Sequence, residues 1–443
     1  PTFFSDMLGI QGRLDFLYRH KKQTIIIEQK SGKGDFVPPS SPSYDPEVPK
    51  PQEKHLVQLL LYRALLTYEF NLHSEELSHI MLLYSRYQQG LVSVGQMPAL
   101  MLRAIRMRNL LAWCEIHHAQ EGYAFLSTLS PEKLNRKQVG GILWNIYVRP
   151  ELERLLLPIH QASPLERAYF LRFMQFLAQE RLLSKVGSKT KEDAGFASKW
   201  LSSLEEKRAA GNIYEGLILD DFQQDDDGVT GLMARFPQQQ SADTSNFRRG
   251  DIVLLYPYKE HTEPRVCAQM VIRGSIEDIS TEGIRLTLRN GQTDPKVFAK
   301  GSHTYWAIEH DLYDSSIDNL YSGLHRFLCA PQQRRSLLLS EREPVTDNSI
   351  SLRGDYGAFN NLVIRCKQAR ELFLIIGPPG TGKTSFGMLN LVKEQLLEED
   401  THILLISYTN RAVDEMCVKL QEEGISFLRI GSPLSCSPLH REQ

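Results

Sequence analysis

At ~150 residues per domain, a chain of 443 residues corresponds to about three domains, which excludes a single small module. With 51 Lys and Arg against 53 Asp and Glu the formal net charge is -2, which excludes a uniform positive field, so a nucleic-acid partner must be held by local patches. No apolar run approaches the ~20 residues that span a bilayer and no charged-then-apolar leader opens the chain, so the expectation is a soluble cytoplasmic protein with no membrane partner.

In chain order, Gly12 to Tyr18 and Thr24 to Glu28 read as two short strands around a polar turn, a β-hairpin. The Pro/Ser-rich segment from Val37 to Pro51 predicts a surface loop, followed by a helix from about Gln52 to Phe70. His79 to Ser85 reads as a strand, and Pro98 to His118 has helical spacing of Leu100, Ala104, Met107, Leu111 and Cys114. Residues 126–210 are helical in pattern, and the five aspartates between Asp220 and Gly228, with the polar stretch Pro237 to Ser245, read as a solvated linker. Period-two runs at Asp251 to Tyr256, Val266 to Arg273 and Gly283 to Arg289, with Asn290-Gly291 as a tight-turn signal, predict a small antiparallel barrel. From about Arg353, strands at Leu372 to Ile376, His402 to Ser407 and Ile425 to Ile430 alternate with helices, the pattern of a parallel βαβαβ sheet.

The fold expectation is a multidomain α/β chain in four pieces: residues 1–125, 126–244 as connector and linker, 245–345 as barrel plus stalk helices, and 346–443. The start at Pro1 and the end in a Ser/Pro-rich stretch predict a piece of a longer polypeptide. Six cysteines without any C-x-x-C predict reduced thiols rather than disulfides or a zinc ribbon.

Gly377, Pro378, Pro379, Gly380, Thr381, Gly382, Lys383 and Thr384 fit G-x-x-x-x-G-K-[ST] between an apolar run and a helical one. Backbone N-H groups of such a loop turn onto phosphates, Lys383 reaches the outer phosphates of ATP, and Thr384 holds Mg²⁺. A plain Gly/Pro turn is the alternative. Twenty-five residues on, Thr409, Asn410 and Arg411 open a helix at the carboxyl end of an expected strand, where ligand sites of open parallel sheets collect; a simple capped helix start is the alternative. Gly-Pro-Pro-Gly-Thr-Gly-Lys-Thr followed by Thr-Asn-x-Ala-Val-Asp resembles motifs I and Ia of superfamily 1B helicases of the up-frameshift type. The resemblance implies that Thr409, Asn410 and Arg411 lie along a single-stranded nucleic-acid track. It also implies a RecA-like domain for 346–443, and a barrel that opens with Phe247-Arg-Arg-Gly-Asp251. Where that family carries a Gln about 17 residues before the loop to read adenine, this chain has Asn360 and Asn361, which leaves adenine selection open. The chain stops before the Asp-Glu pair of a Walker B strand, a second RecA-like domain and an arginine finger, so ATP turnover and unwinding are not expected of it as given.

At the other end, Asp15 on one hairpin strand and Glu28 ending the next, with Lys30 on the same face as Glu28, can bind a hard divalent cation beside an ammonium that orients water. Surface charges on an exposed hairpin are the alternative. His55, Gln58 and Tyr62 form one polar stripe on the following helix, among leucines. Gly-Arg-Leu-Asp15, Glu28-Gln-Lys30 and Gln58-x-x-x-Tyr62 together resemble the RecB-like branch of the PD-(D/E)xK nucleases. That resemblance implies Mg²⁺ or Mn²⁺ held by Asp15, Glu28 and the Gln29 carbonyl, Lys30 as catalytic lysine, and substrate contacts at Gln58 and Tyr62.

A RecB-like nuclease ahead of a superfamily 1B motor with a barrel between them resembles the replication nuclease-helicase family. The implied function is metal-dependent hydrolysis of single-stranded DNA or flaps, joined to an ATP-driven translocase in replication or repair, with a single-strand-binding protein as a further partner. Its eukaryotic members hold an iron-sulfur cluster through cysteines flanking the nuclease; only Cys114 lies within reach here, so no cluster is expected and a prokaryotic, nucleoid-associated relative is the expectation. The competing reading is a nucleotide-gated nucleic-acid binding or loading module with an inactive nuclease domain.

Overall fold

The computed structural model describes residues 2–431 except positions 22, 71, 73–75, 188–194, 198–201, 227, 238–244, 268, 299–303, 312–315 and 379. It divides into two compact units, residues 1–124 with 171–321 and residues 125–170 with 322–443.

The first unit holds two sheets and a barrel. Strands β1 (Thr2–Ser5) and β2 (Ile10–Arg13) pair with each other. The expected first hairpin strand, Gly12 to Tyr18, is broken: Gly12 and Arg13 end β2, Asp15 sits in a bend, and only β3 (Phe16–His20) pairs with β4 (Gln23–Lys30), in antiparallel register from Phe16↔Ile27 to His20↔Gln23. Along β4, Thr24, Ile26 and Glu28 alternate as buried residues, so the period of two carries a carboxylate onto the same face as the fully buried Ile26. Strand β5 (Leu77–Tyr84) lies parallel to β4, and β6 (Leu91–Ser93) completes the order β3-β4-β5-β6. A parallel neighbour requires a long crossover, and here it contains α1 (Glu53–Glu69). Its Leu59, Tyr62, Leu65 and Leu66 pack with Leu14, Ile26, Leu82 and Tyr84, each large apolar side chain contributing about 1.5–3 kcal/mol by burial. Helix α2 (Pro98–Glu121) begins on Pro98, where the missing N-H removes no helical hydrogen bond.

Six antiparallel strands close the barrel in the order β10-β11-β8-β7-β12-β9, with β7 Ile213–Asp225, β8 Gly228–Arg235, β9 Ile252–Lys259, β10 Ile272–Ile279, β11 Gly283–Gln292 and β12 Thr304–His310. This corrects the linker reading. The aspartate run from Asp220 lies on β7 and in the hairpin to β8, and the barrel starts well before residue 245. The acidic residues are tolerated there because they are paired across strands: Asp220 with Arg235, and Asp221 with Arg285 at 2.9 Å. Asn290-Gly291 is likewise not a tight turn; both residues sit within β11, where the ladder to β8 slips between Thr287 and Gln292.

In the second unit, Glu166 and Arg335 form an ion pair at 2.6 Å. Helix Asn360–Gln368 precedes the phosphate loop, a π-helical turn Lys383–Met388 runs into helix Leu389–Gln395, and helix Asn410–Glu422 follows. The three expected strands are a second correction: residues 372–376, 402–407 and 425–430 form no β-ladder among the described residues. Alternating burial survives in full only at 425–430, since Leu374, Ile375 and Ile376 are all exposed, as are both Ile403 and Leu404. Leu405, Ile425 and Phe427 pack on Leu389, Val392 and Leu420, whereas Ile376, Leu404, Ile406, Leu428 and Ile430 are exposed. Parallel sheets are covered on both faces, whereas 402–407 and 425–430 have cover on one face at most and Leu374 to Ile376 have none.

Candidate active and nucleotide sites

Register alone brings Asp15 and Glu28 together, since they flank the first pair of the β3-β4 ladder, Phe16↔Ile27. Asp15 is exposed and its carboxylate accepts the Gln29 N-H at 2.9 Å. Glu28 is 3% exposed; its Oε1 accepts from Lys30 Nζ at 2.7 Å and from Gln58 Nε2 at 2.7 Å. Gln58 in turn accepts from Lys30 Nζ at 2.9 Å and donates to the Tyr62 hydroxyl at 2.8 Å. The structure therefore brings together Asp15, Glu28, Gln29, Lys30, Gln58 and Tyr62, all drawn from the hairpin and one helix stripe.

Tyr62 is only 9% exposed, and Gly12 makes room for it: a Cβ there would stand 2.6 Å from the ring. Burial pushes the Glu28 carboxyl up, more than the hydrogen bond and charge of Lys30 pull it down, and the Asp15 charge pushes it further. Burial also raises Tyr62 against the hydrogen bond from Gln58. The other Glu28 oxygen, Oε2, is buried and has no hydrogen-bond partner. A buried, unpaired acceptor beside a second carboxylate and a backbone carbonyl is the donor set of a hard divalent cation, so the residues fit one. Among the described residues no group of three or more His, Cys, Asp and Glu side chains is placed to hold a metal, so the two carboxylates need the Gln29 carbonyl and water to complete a shell.

His55 shares the helical stripe but turns aside: its Nδ1 lies 2.8 Å from the Tyr84 hydroxyl, and burial followed by the nearby Lys30 charge keeps its pKa low. A neutral imidazole therefore backs the site.

At the phosphate loop, Gly380 (φ 81°) and Gly382 (φ 80°) take the left-handed conformation that side chains resist, which lets the loop turn into the helix. Lys383 Nζ donates to the Pro378 carbonyl at 2.8 Å and to that of Gly377, and Thr381 Oγ1 donates to the Pro378 carbonyl at 2.8 Å. Gly377 and Thr384 flank this turn; Pro379 lies outside the described residues. Phe359 stacks on Phe386 with ring centroids 5.8 Å apart, and Phe359, Gly377, Pro378, Thr381 and Lys383 line a cavity of about 600 Å³. Both polar ends of the Asn360 amide are used locally: Oδ1 accepts the Tyr356 N-H and Nδ2 donates to Asp355, each at 2.8 Å.

Sequence reasoning missed the anchor of this region, Glu394. Fully buried, it accepts from Lys367 Nζ at 2.5 Å, the Arg353 and Gly354 N-H groups at 2.9 and 3.0 Å, and the Tyr356 hydroxyl at 2.9 Å. Burial opposes its ionisation, but those donors, Lys367 first, hold it down at about 2. The available signal was a Glu on the apolar face of helix Leu389–Gln395.

Thr409 caps the last helix, its Oγ1 accepting the Ala412 N-H at 3.3 Å. Arg411 is exposed beside Glu415, and the Asn410 Oδ1 accepts from Arg429 at 3.3 Å.

A phosphate-loop pattern at a helix start, with a Thr-Asn helix following, falls where an AAA domain family matches the chain, over residues 360–442. The relatives of the chain are more specific. It is 33% identical over 202 residues to the DNA replication ATP-dependent helicase/nuclease JHS1 of Arabidopsis thaliana, covering 42% of this chain and 14% of the relative. It is 30% identical over 152 residues to the helicase/nuclease dna2 of Schizosaccharomyces pombe, covering 33% and 11%, and 41% identical over 64 residues to DNA2 of Saccharomyces cerevisiae, covering 14% and 4%. The expected resemblance stands: the chain is similar in sequence to the replication nuclease-helicase family. The matched part of each of these relatives is less than a fifth of its length. No helix among the described residues is long and apolar enough to cross a membrane.

Proposed function

We propose that the chain carries a divalent-metal-dependent DNA nuclease site and the nucleotide-binding half-site of a helicase motor, acting on single strands or flaps in replication or repair. The observation that carries the nuclease reading is the buried, unpartnered Glu28 Oε2 next to Asp15, on a carboxylate already tied to Lys30 and Gln58. On this reading β3–β6 with α1 and α2 form a RecB-like nuclease domain, and residues 346–443 a RecA-like one.

Asp15, Glu28 and the Gln29 carbonyl would hold Mg²⁺ or Mn²⁺, which when bound supplies Lewis acidity at the scissile phosphate and lowers the pKa of water. Lys30 presents an ammonium, located by Glu28 and Gln58, to orient the attacking water and offset charge on the phosphate. Gln58 keeps both groups in register, and Tyr62, buried over Gly12, limits the amide's rotation. In the second unit Lys383 would exchange its loop carbonyls for the outer phosphates of ATP, Thr384 would hold Mg²⁺, and Thr409, Asn410 and Arg411 would border the strand.

Incubating the chain with a labelled 5′ flap and Mg²⁺ or Mn²⁺ tests this. Cleavage is expected, and its survival in both Asp15→Ala and Glu28→Ala would overturn the site. Metal-independent strand binding without cleavage would instead support the loading-module reading.

A further inference from the structure

Arg429 stands in a run, Ile425 to Ile430, that is apolar apart from it and Ser426, and its side chain is only 5% exposed. Nothing in the loop-and-motif pattern accounts for a buried guanidinium there. Its Nε donates to Asp414 Oδ1 at 3.2 Å, and its second terminal nitrogen donates to Asn410 Oδ1 at 3.3 Å. Asp414 and Asn410 lie one turn apart on the same helix, so the guanidinium clamps that turn from the neighbouring segment.

We propose that Arg429 is the positioning residue of the nucleic-acid track: it fixes the Asn410 amide so that its NH₂ end, rather than its carbonyl, faces the phosphodiester backbone of a single strand. This rests on the reading of Thr409 to Arg411 as that track. A guanidinium only donates, so the amide must offer it oxygen. The opposite end is then a pair of donors on an exposed residue, and it makes no hydrogen bond among the described residues. Phosphate oxygens only accept. A freely turning amide would spend part of its time presenting oxygen to oxygen, and the clamp removes that orientation in advance, so less is lost on binding. Because the contact is to backbone phosphate, it carries no base preference. Arg429 itself is buried behind Asn410, ion-paired with Asp414, and contributes no phosphate contact of its own.

The test uses the whole chain and a fluorescein-labelled oligo(dT), read by anisotropy across a salt series, with thermal midpoints to check folding. Asn410→Ala and Arg429→Gln should each weaken binding by about tenfold, and the double variant should be no weaker than Asn410→Ala alone. The slope of log affinity against log salt should be unchanged in Arg429→Gln, since no phosphate contact is removed. Arg429→Lys, still a pure donor, should bind near the unaltered level. Asn410→Asp, which keeps the Arg429 contact but turns oxygen to the strand, should bind more weakly than Asn410→Ala. The proposal is overturned if Arg429→Gln weakens binding equally when Asn410 is already Ala, or if it lowers the salt slope. If Asn410→Ala binds as tightly as the unaltered chain, the track reading itself falls, and the proposal with it. Should Arg429→Gln fail to fold, the Asn410→Asp against Asn410→Ala comparison decides the amide's polarity alone.

Discussion

Gln58 donates to Glu28 through Nε2 at 2.7 Å while accepting Lys30 through Oε1 at 2.9 Å, so a single amide sets the spacing between an acid and its neighbouring ammonium. Neither Leu nor Glu can do both. Gln58→Leu and Gln58→Glu are each expected to lower flap cleavage about 10- to 100-fold, the range for residues that orient a metal site, without unfolding the chain. Initial rates with a 5′-flap substrate at saturating Mn²⁺ check this.

The raised Glu28 carboxyl gives a signed pH effect. In the folded chain the group holds its proton above the unfolded pKa, so the folded state binds more protons across that interval and stability falls as pH rises from about 4.5 through the raised value. Without metal, Glu28→Gln is therefore expected to melt higher than the unaltered chain at neutral pH. Added Mn²⁺ should reverse the order, because binding to the folded state alone contributes about 2.7 kcal/mol at 100 times Kd, and only the unaltered chain gains it. Thermal melts with and without Mn²⁺ read both.

With the Asn360 amide consumed by Tyr356 and Asp355, the residue 17 positions before the loop is not free to read a base edge. ATP, GTP, CTP and UTP should bind within about tenfold of one another, under about 1.4 kcal/mol. All four should be lost in Lys383→Ala. Competition against a fluorescent nucleotide measures it.

Glu394→Ala leaves Lys367 buried without its main partner and frees the Arg353 and Gly354 amides, a loss of about 3–5 kcal/mol. With the folded carboxyl near 2, its stabilising contribution is complete above the ordinary carboxyl range and is lost as pH falls from about 4.5 toward 2. Urea melts of the unaltered chain and Glu394→Ala should therefore converge on acidification.

The candidate sites were legible in the sequence because they are local: Asp15, Glu28 and Lys30 are arranged by one hairpin register, Gln58 and Tyr62 by one helical stripe, and the phosphate loop by contiguous residues. What escaped was set at longer range. The aspartates from Asp220 read as linker because their partners, Arg235 and Arg285, lie on other strands and become visible only when the barrel closes. Glu394 and Arg429 escaped for a related reason: a buried charge looks like noise in an apolar pattern until its partners, here Lys367 and Asp414, are seen across the fold. The segment at 425–430 shows the converse, since a strand's alternation is local but its ladder and its second cover are not.

Strand β1 sends adjacent side chains into different interiors. Phe3 packs with Leu14, Ile26 and Leu65 beside the carboxylates, Phe4 packs with Leu254, Tyr256 and Val271 on the barrel, and the backbone of Thr2 exchanges hydrogen bonds with Val271 at 3.3 and 2.9 Å. Four residues thus join the β3–β6 sheet to the barrel. A barrel-deleted chain would therefore be left with Phe4 and the Thr2 backbone, one half of a rivet, protruding into water.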